Sequence, residues 1–258
     1  MNTNSYILIE EWKKYGITAG TTTRIGGYSK YPFASFNMGR DTEDEYLTKN
    51  FNKLMEDFGW QELYKDNRIF FTYQIHKDNI KIIDKEAFEI NKSDSYFYGV
   101  DGFLASYKDF ENIVITVVTA DCLPISILDK NNKVIAILHS GWKGTRLQIL
   151  NKCLKLMKEK YNSGPEDILV HLGACIKPHN YEVSPEFKQY FKRNLMEKEG
   201  KYYFDIAGEN KDIALTYGIP EENISDSGLC TYDEEELFYS HRRDKGITGR
   251  MLNFISID

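Results

Sequence analysis

Ile113-Val114-Ile115-Thr116-Val117-Val118 is β-branched nearly throughout, too short for a helix and too apolar for a surface loop, so it predicts a buried strand. It runs into Thr119-Ala120-Asp121-Cys122-Leu123-Pro124. Pro124 disfavours an uninterrupted strand there, Ile125 to Leu128 resumes one, and Asp129-Lys130-Asn131-Asn132 supplies a turn before Val134-Ile135-Ala136-Ile137-Leu138. His139 therefore closes the next strand. In His139-Ser140-Gly141-Trp142-Lys143-Gly144 the two glycines bracket a tight connection into a helix, whose apolar positions Leu147, Leu150, Leu154, Met157 and Tyr161 recur at helical spacing.

Outward from this centre, Ser163-Gly164-Pro165 stops the helix, and Ile168 to Gly173 begins another strand, completing a strand-helix-strand unit. On that strand His171 alternates with Val170 and Leu172 and reads as a packed histidine. Toward the N-terminus, Ile17 to Thr23 is β-prone. Asp41-Thr42-Glu43-Asp44 offers caps and first-turn acids to a helix burying Tyr46 or Leu47, Phe51, Leu54, Met55 and Phe58. Ile80 to Ile83 alternates weakly, and Asn91-Lys92-Ser93-Asp94-Ser95 reads as a polar connection. Later, Pro185 opens a helix with Phe187, Tyr190, Phe191 and Leu195, and Ile206 to Tyr217 forms another. The expected fold is α/β: a single domain over residues 1–258, with a mixed β-sheet core flanked by helices.

Composition excludes several function classes. A net charge of −6 gives no overall field to recruit nucleic acid or an acidic membrane, so a phosphate-bearing ligand needs a local basic site. No apolar run reaches the length of a membrane span. Met1-Asn2-Thr3-Asn4-Ser5 lacks the basic start of a secretory signal, and Cys122, Cys153, Cys175 and Cys230 are widely scattered; reduced thiols in the cytoplasm are expected.

Cys122 and His139 both arrive at strand ends. A soft sulfur and an imidazole suit a transition metal, and the best third ligand is His76, at the end of the apolar, aromatic run Phe70-Phe71-Thr72-Tyr73-Gln74-Ile75. One Cys and two His leave a coordination position open, which is the catalytic pattern. Asp101 reads equally as a turn acid or as a carboxylate orienting a ligand histidine, and Asp121 shares that ambiguity.

Gln74-Ile75-His76, Thr119 to Pro124, His139 to Gly144 and Ser240-His241-Arg242-Arg243-Asp244 together resemble the YfiH-like family. So do Thr23-Arg24-Ile25-Gly26-Gly27, Ser35-Phe36-Asn37-Met38-Gly39, Asp101-Gly102, Tyr181-Glu182-Val183 and Thr248-Gly249-Arg250. Members of that family were first called multicopper polyphenol oxidoreductases or laccase-domain proteins, and later purine nucleoside phosphorylases with adenosine deaminase activity. The resemblance implies that His76, Cys122 and His139 are both metal ligands and catalytic residues. It makes Arg24, Asn37, Gln74, Asp121, Trp142, Lys143 and Arg242 candidates for substrate contact. The implied reaction is phosphorolysis of adenosine or inosine, with methylthioadenosine a further candidate substrate, to free base and ribose 1-phosphate. The implied partners are a purine nucleoside and phosphate.

Zinc is favoured for the open three-ligand site, although ligand identity alone does not separate it from copper. It lowers the pKa of water, chemistry suited to expelling ammonia from C6 of adenosine. Phosphorolysis additionally needs an anion cradle, for which the Gly141–Gly144 helix entrance with Arg24, Lys143 or Arg242 is the candidate. Of two adjacent arginines, Arg242 and Arg243, one can face solvent while the other reaches inward. Three other readings stand beside this one. Copper-dependent oxidation of phenols is one, but five histidines cannot furnish a trinuclear cluster in addition to a mononuclear site. A metal-free cysteine hydrolase with Cys122 as nucleophile and His139 as base is another, favoured by a likeness of the fold to certain toxin catalytic domains. The last is a zinc-stabilised binding module.

Overall fold

A computed structural model describes residues 5–90 and 95–257. All but Ser95 of the connection expected over Asn91 to Ser95, and the chain start, Met1 to Asn4, lie outside the described residues.

Strands are numbered in chain order. One six-stranded sheet runs β1 (Tyr6–Leu8), β2 (Ile17–Thr22), β15 (Met251–Ile257), β7 (Ile113–Thr119), β3 (Ile69–Tyr73), β5 (Tyr96–Tyr98). The other runs β14 (Ile224–Asp226), β10 (Ile168–Leu172), β8 (Leu123–Asp129), β9 (Val134–Ser140), β6 (Gly102–Ser106), β4 (Ile80–Ile83). Both are mixed: β3 pairs parallel with β7 and β5, whereas β7–β15 and β8–β9 are antiparallel. The expected mixed-sheet core is therefore a pair of sheets. A small third sheet joins β11 (Glu182–Val183), β13 (Lys201–Phe204) and β12 (Leu195–Lys198).

Alternation along each strand explains why its sequence is apolar throughout. On β9, Ile135 and Ile137 face β7 residues Ile113, Ile115 and Val117 between the sheets. Val134, Ala136 and Leu138 point the other way, into a core shared with the helices Ile149–Tyr161 and Ile206–Tyr217. On β7, Val114 leaves the inter-sheet layer and packs with Phe51, Leu54 and Met55 of helix α1 (Leu47–Phe58). Each central strand is buried on both faces, so neither face needs polar residues.

Local departures from the sequence reading have identifiable causes. Pro124 lies within β8 because its partner His139 turns its N–H toward the Asp101 carbonyl (2.7 Å), so no ladder donor is wanted at that pair. The helix expected from Gly144 onward is broken. A short helix, Trp142–Arg146, ends before Gln148, which is left-handed (φ 61°), and Leu147 is exposed rather than on the buried stripe. Helix α1 starts at Leu47 without acids in its first turn; Asp44 instead accepts from the Tyr46 N–H (2.9 Å). Pro185 opens only a 3-10 turn, Pro185–Gln189, and Leu195 begins β12. Among the described residues no helix is long and apolar enough to cross a membrane.

Phe103 is fully buried between the sheets against Phe70 and Phe97. Phe103→Ala should therefore lower unfolding free energy by about 3–5 kcal/mol in denaturant titration, with the slope m unchanged.

Candidate metal centre

The chain crosses between the large sheets once it leaves β7 at Thr119, and re-enters at β8 with Leu123. Cys122 lies on this crossing. His139 is near the end of β9, and His76 lies just past β3, which runs parallel to β7. All three thus arrive at one end of the sandwich, and their ligand atoms lie within 4.8 Å of one another. The two imidazoles meet edge to face, with ring centroids 4.6 Å apart.

Asp101, fully buried just ahead of β6, holds the group together. Its Oδ1 accepts the His76 N–H (2.8 Å), and its Oδ2 accepts the Lys77 N–H (2.9 Å). These bonds fix His76 in the left-handed region, φ 57°. The same Oδ1 lies 3.1 Å from His139 Nδ1, so this nitrogen carries the proton and Nε2 is left to face the sulfur. Asp101 combines both roles read from the sequence, loop acid and histidine orienter.

Two glycines permit the close approach. A side chain at Gly141 would place its first carbon 3.0 Å from Cys122 Sγ, and one at Gly144 would come 2.9 Å from the Lys77 carbonyl. The helix entrance is consequently packed against the thiol and the His76 loop.

Asp121 adopts φ 90° on the crossing. Its carboxylate accepts from Thr231 Oγ1 (2.7 Å) and from the Arg242 N–H (2.7 Å), and its carbonyl accepts from the Ile176 N–H (3.0 Å). Such a backbone is strained for a side chain with a Cβ and persists because its surroundings hold it.

Burial alone would push the Cys122 thiol up, but the charge on His139 and hydrogen bonds with both imidazoles bring it down to about 6. Burial would lower His139, yet Cys122 and Asp101 raise it to about 9. Cys153 and Cys175 behave oppositely, both pushed up to about 12 chiefly by burial.

A cavity of about 420 Å³ opens over these three side chains. Its walls include Phe71, Tyr73 and Tyr96, and its cations are Arg40, Arg242 and Arg250. Of the expected substrate contacts, Gln74, Asp121 and Arg242 line it. The Gln74 amide is also clamped to the Val118 backbone, donating to its carbonyl (2.9 Å) and accepting its N–H (2.8 Å).

Arg24, Asn37, Trp142 and Lys143 fall elsewhere. The Arg24 guanidinium donates to the Ala34 and Glu235 carbonyls and stacks on Tyr239. Asn37 is fully buried, joining Thr42 and Asp44 to the Gly39 and Arg250 amides. Trp142 packs on Phe187, and Lys143 is exposed beside the Trp142 ring. Of the paired arginines, Arg243 turns inward to the Thr231, Tyr232 and Phe238 carbonyls, leaving Arg242 exposed at the cavity. His171 is half-buried against Ser225, away from the ligands.

Arg40 was not indicated by the sequence. It lies 4.0 Å over the Tyr96 ring in the cavity wall and makes no hydrogen bond to a described residue. Only its place directly after the Asn37-Met38-Gly39 motif could have drawn attention to it.

The fold matches known structures. A solved Bacillus licheniformis protein, described as hypothetical protein YfiH, superposes with a TM-score of 0.89 at 31% identity, covering 100% of this chain and 98% of that one. YlmD from Geobacillus stearothermophilus gives 0.84 at 32% identity, over 93% and 91% of the two chains. The chain belongs to the family described as multi-copper polyphenol oxidoreductase laccase, whose model matches residues 18–258. It is also 30% identical to a Bacillus subtilis protein named purine nucleoside phosphorylase YlmD, over 100% of this chain and 96% of that relative. A Staphylococcus aureus protein named purine nucleoside phosphorylase SACOL1200 is 32% identical, over 97% and 95%.

In metal-free protein, alkylation of Cys122 by iodoacetamide should accelerate as pH rises through about 6, because a lowered pKa fills the thiolate earlier. Asp101→Asn removes a carboxylate that favours the imidazolium, so the midpoint should move upward. A wild-type midpoint at the ordinary thiol value of 9.0 would contradict this electrostatic picture.

Proposed function

We propose that this chain is a zinc-dependent purine nucleoside phosphorylase that also deaminates adenosine, with its whole length acting as one catalytic domain in the reducing cytoplasm. The observation carrying this reading is the convergence of His76, Cys122 and His139 beneath the cavity. The names of the full-length relatives support the reaction class.

The donor set fits the metal: one sulfur already disposed to ionise, one imidazole with its tautomer fixed by Asp101, and a second at the same point. A bound zinc would supply Lewis acidity and lower the pKa of water in the site to about 7. The aromatic wall of Tyr73 and Tyr96 offers ring faces to a purine. Arg40 and Arg242 offer guanidinium groups to phosphate, placed where Arg24 and Lys143 are not. In phosphorolysis a phosphate oxygen bonds to C1′ as the bond from C1′ to the purine breaks, giving ribose 1-phosphate and free base. Deamination needs water and no second anion.

A metal-free hydrolase is the second reading, favoured by the Cys122–His139–Asp101 relay and its lowered thiol pKa. Multicopper oxidation has less support: among the described residues, only His76 and His139 gather with Cys122, and the chain has five histidines in all.

Product analysis from adenosine, with and without phosphate, distinguishes these readings. Wild-type enzyme should yield adenine and ribose 1-phosphate only with phosphate, and inosine without it; chelation should abolish both. Arg40→Ala should lose about tenfold to hundredfold in phosphorolysis and much less in deamination, because a charge-assisted contact to phosphate contributes about 1.5–3 kcal/mol. Arg242→Ala should show the same bias. Equal losses in both reactions would remove the separate anion cradle, and full activity after chelation would hand the site to thiol chemistry.

A further inference from the structure

His179, Cys230 and Asp233 form another convergence of ligand-type atoms, again within 4.8 Å of one another and drawn from residues apart from the first set. His179 belongs to the 3-10 turn Pro178–Asn180, while Cys230 and Asp233 sit on one turn closed by the Glu234 N–H on the Cys230 carbonyl (3.0 Å). A Cys-x-x-Asp turn directs both side chains to the same side, as Cys-x-x-Cys turns do in zinc sites.

The surroundings of these atoms are those of a ligand set. Cys230 Sγ accepts from the Lys177 N–H (3.4 Å) and from Asn180 Nδ2 (3.7 Å), the N–H···S bonds that support a metal-bound thiolate. The same Asn180 amide donates to Asp233 Oδ1 (2.7 Å), aiming Oδ2 at His179 Nε2, 2.6 Å away. Cys230 is nearly buried, whereas the His179 and Asp233 side chains are 64% and 48% exposed, so an ion can enter from solvent.

We propose that His179, Cys230 and Asp233 bind a second transition-metal ion of the zinc class, with water in the open position. A bound ion takes the place of the thiol proton, and the imidazole and carboxylate move apart so that His179 Nε2 and an Asp233 oxygen face it. The ion ties the Pro178–Asn180 turn to the Cys230 turn. Both turns adjoin the cavity: Tyr181 lines it, and Thr231 donates to Asp121 beside Cys122. The second ion thereby braces one cavity wall without touching the first site.

Cobalt titration of the chelator-stripped full chain tests this, because a thiolate–cobalt charge-transfer band reports sulfur ligation directly. Wild-type protein should bind two equivalents, and Cys230→Ser or His179→Ala only one at the same cobalt concentrations. Cys122→Ser should retain one equivalent with the charge-transfer band, arising from Cys230. The exposed position of His179 makes His179→Ala the variant least able to disturb folding, and circular dichroism verifies each fold. Saturation of wild type at one equivalent would overturn the proposal, as would unchanged stoichiometry in His179→Ala and Cys230→Ser.

Discussion

One buried carboxylate organises this end of the molecule. Asp101 receives three backbone N–H groups from the His76 loop, those of Ile75, His76 and Lys77, and stands against His139 Nδ1, so a single side chain sets the position of one histidine and the ring orientation of another. Burial alone would raise the Asp101 carboxyl, but His139 and the Lys77 and His76 backbone donors hold it below the ordinary carboxylate range. A neutral replacement would leave buried donors facing a weaker acceptor and would free the imidazole to choose its tautomer.

The thiol reaches this carboxylate's neighbourhood through the topology. β7 belongs to one sheet and β8 to the other, and the short crossing between them carries Cys122 past the rims of both. A crossing that short requires an unusual backbone at Asp121, which Thr231 and Arg242 hold from the far side. Fold and site are consequently hard to separate: the inter-sheet apolar layer fixes where the crossing lies, and the crossing fixes the sulfur.

Much of this was legible in the sequence. The apolar runs at Ile113 and Val134 marked central strands because both faces of each are covered, and the YfiH-like resemblance marked three candidate ligands, His76, Cys122 and His139, whose side chains the fold brings together. The number of sheets was not legible, since a doubly buried strand reads the same whether its second neighbour is a helix or another sheet. The break at Gln148 was hidden because spacing alone does not register a left-handed residue. Side-chain destinations were the least legible feature. Arg24, Asn37 and Arg242 all sit in motifs, yet the first two are committed to backbone and side-chain partners off the cavity, and Arg40, outside every motif, lines it.

On the function proposed above, His76, Cys122 and His139 form a single metal centre on this scaffold. Anomalous diffraction from crystals of zinc-loaded protein, collected on both sides of the zinc absorption edge, tests it most directly. An ion is expected about 2.3 Å from Cys122 Sγ and about 2.0–2.1 Å from one nitrogen each of His76 and His139. Zinc-loaded crystals with no anomalous peak among these three side chains would contradict it.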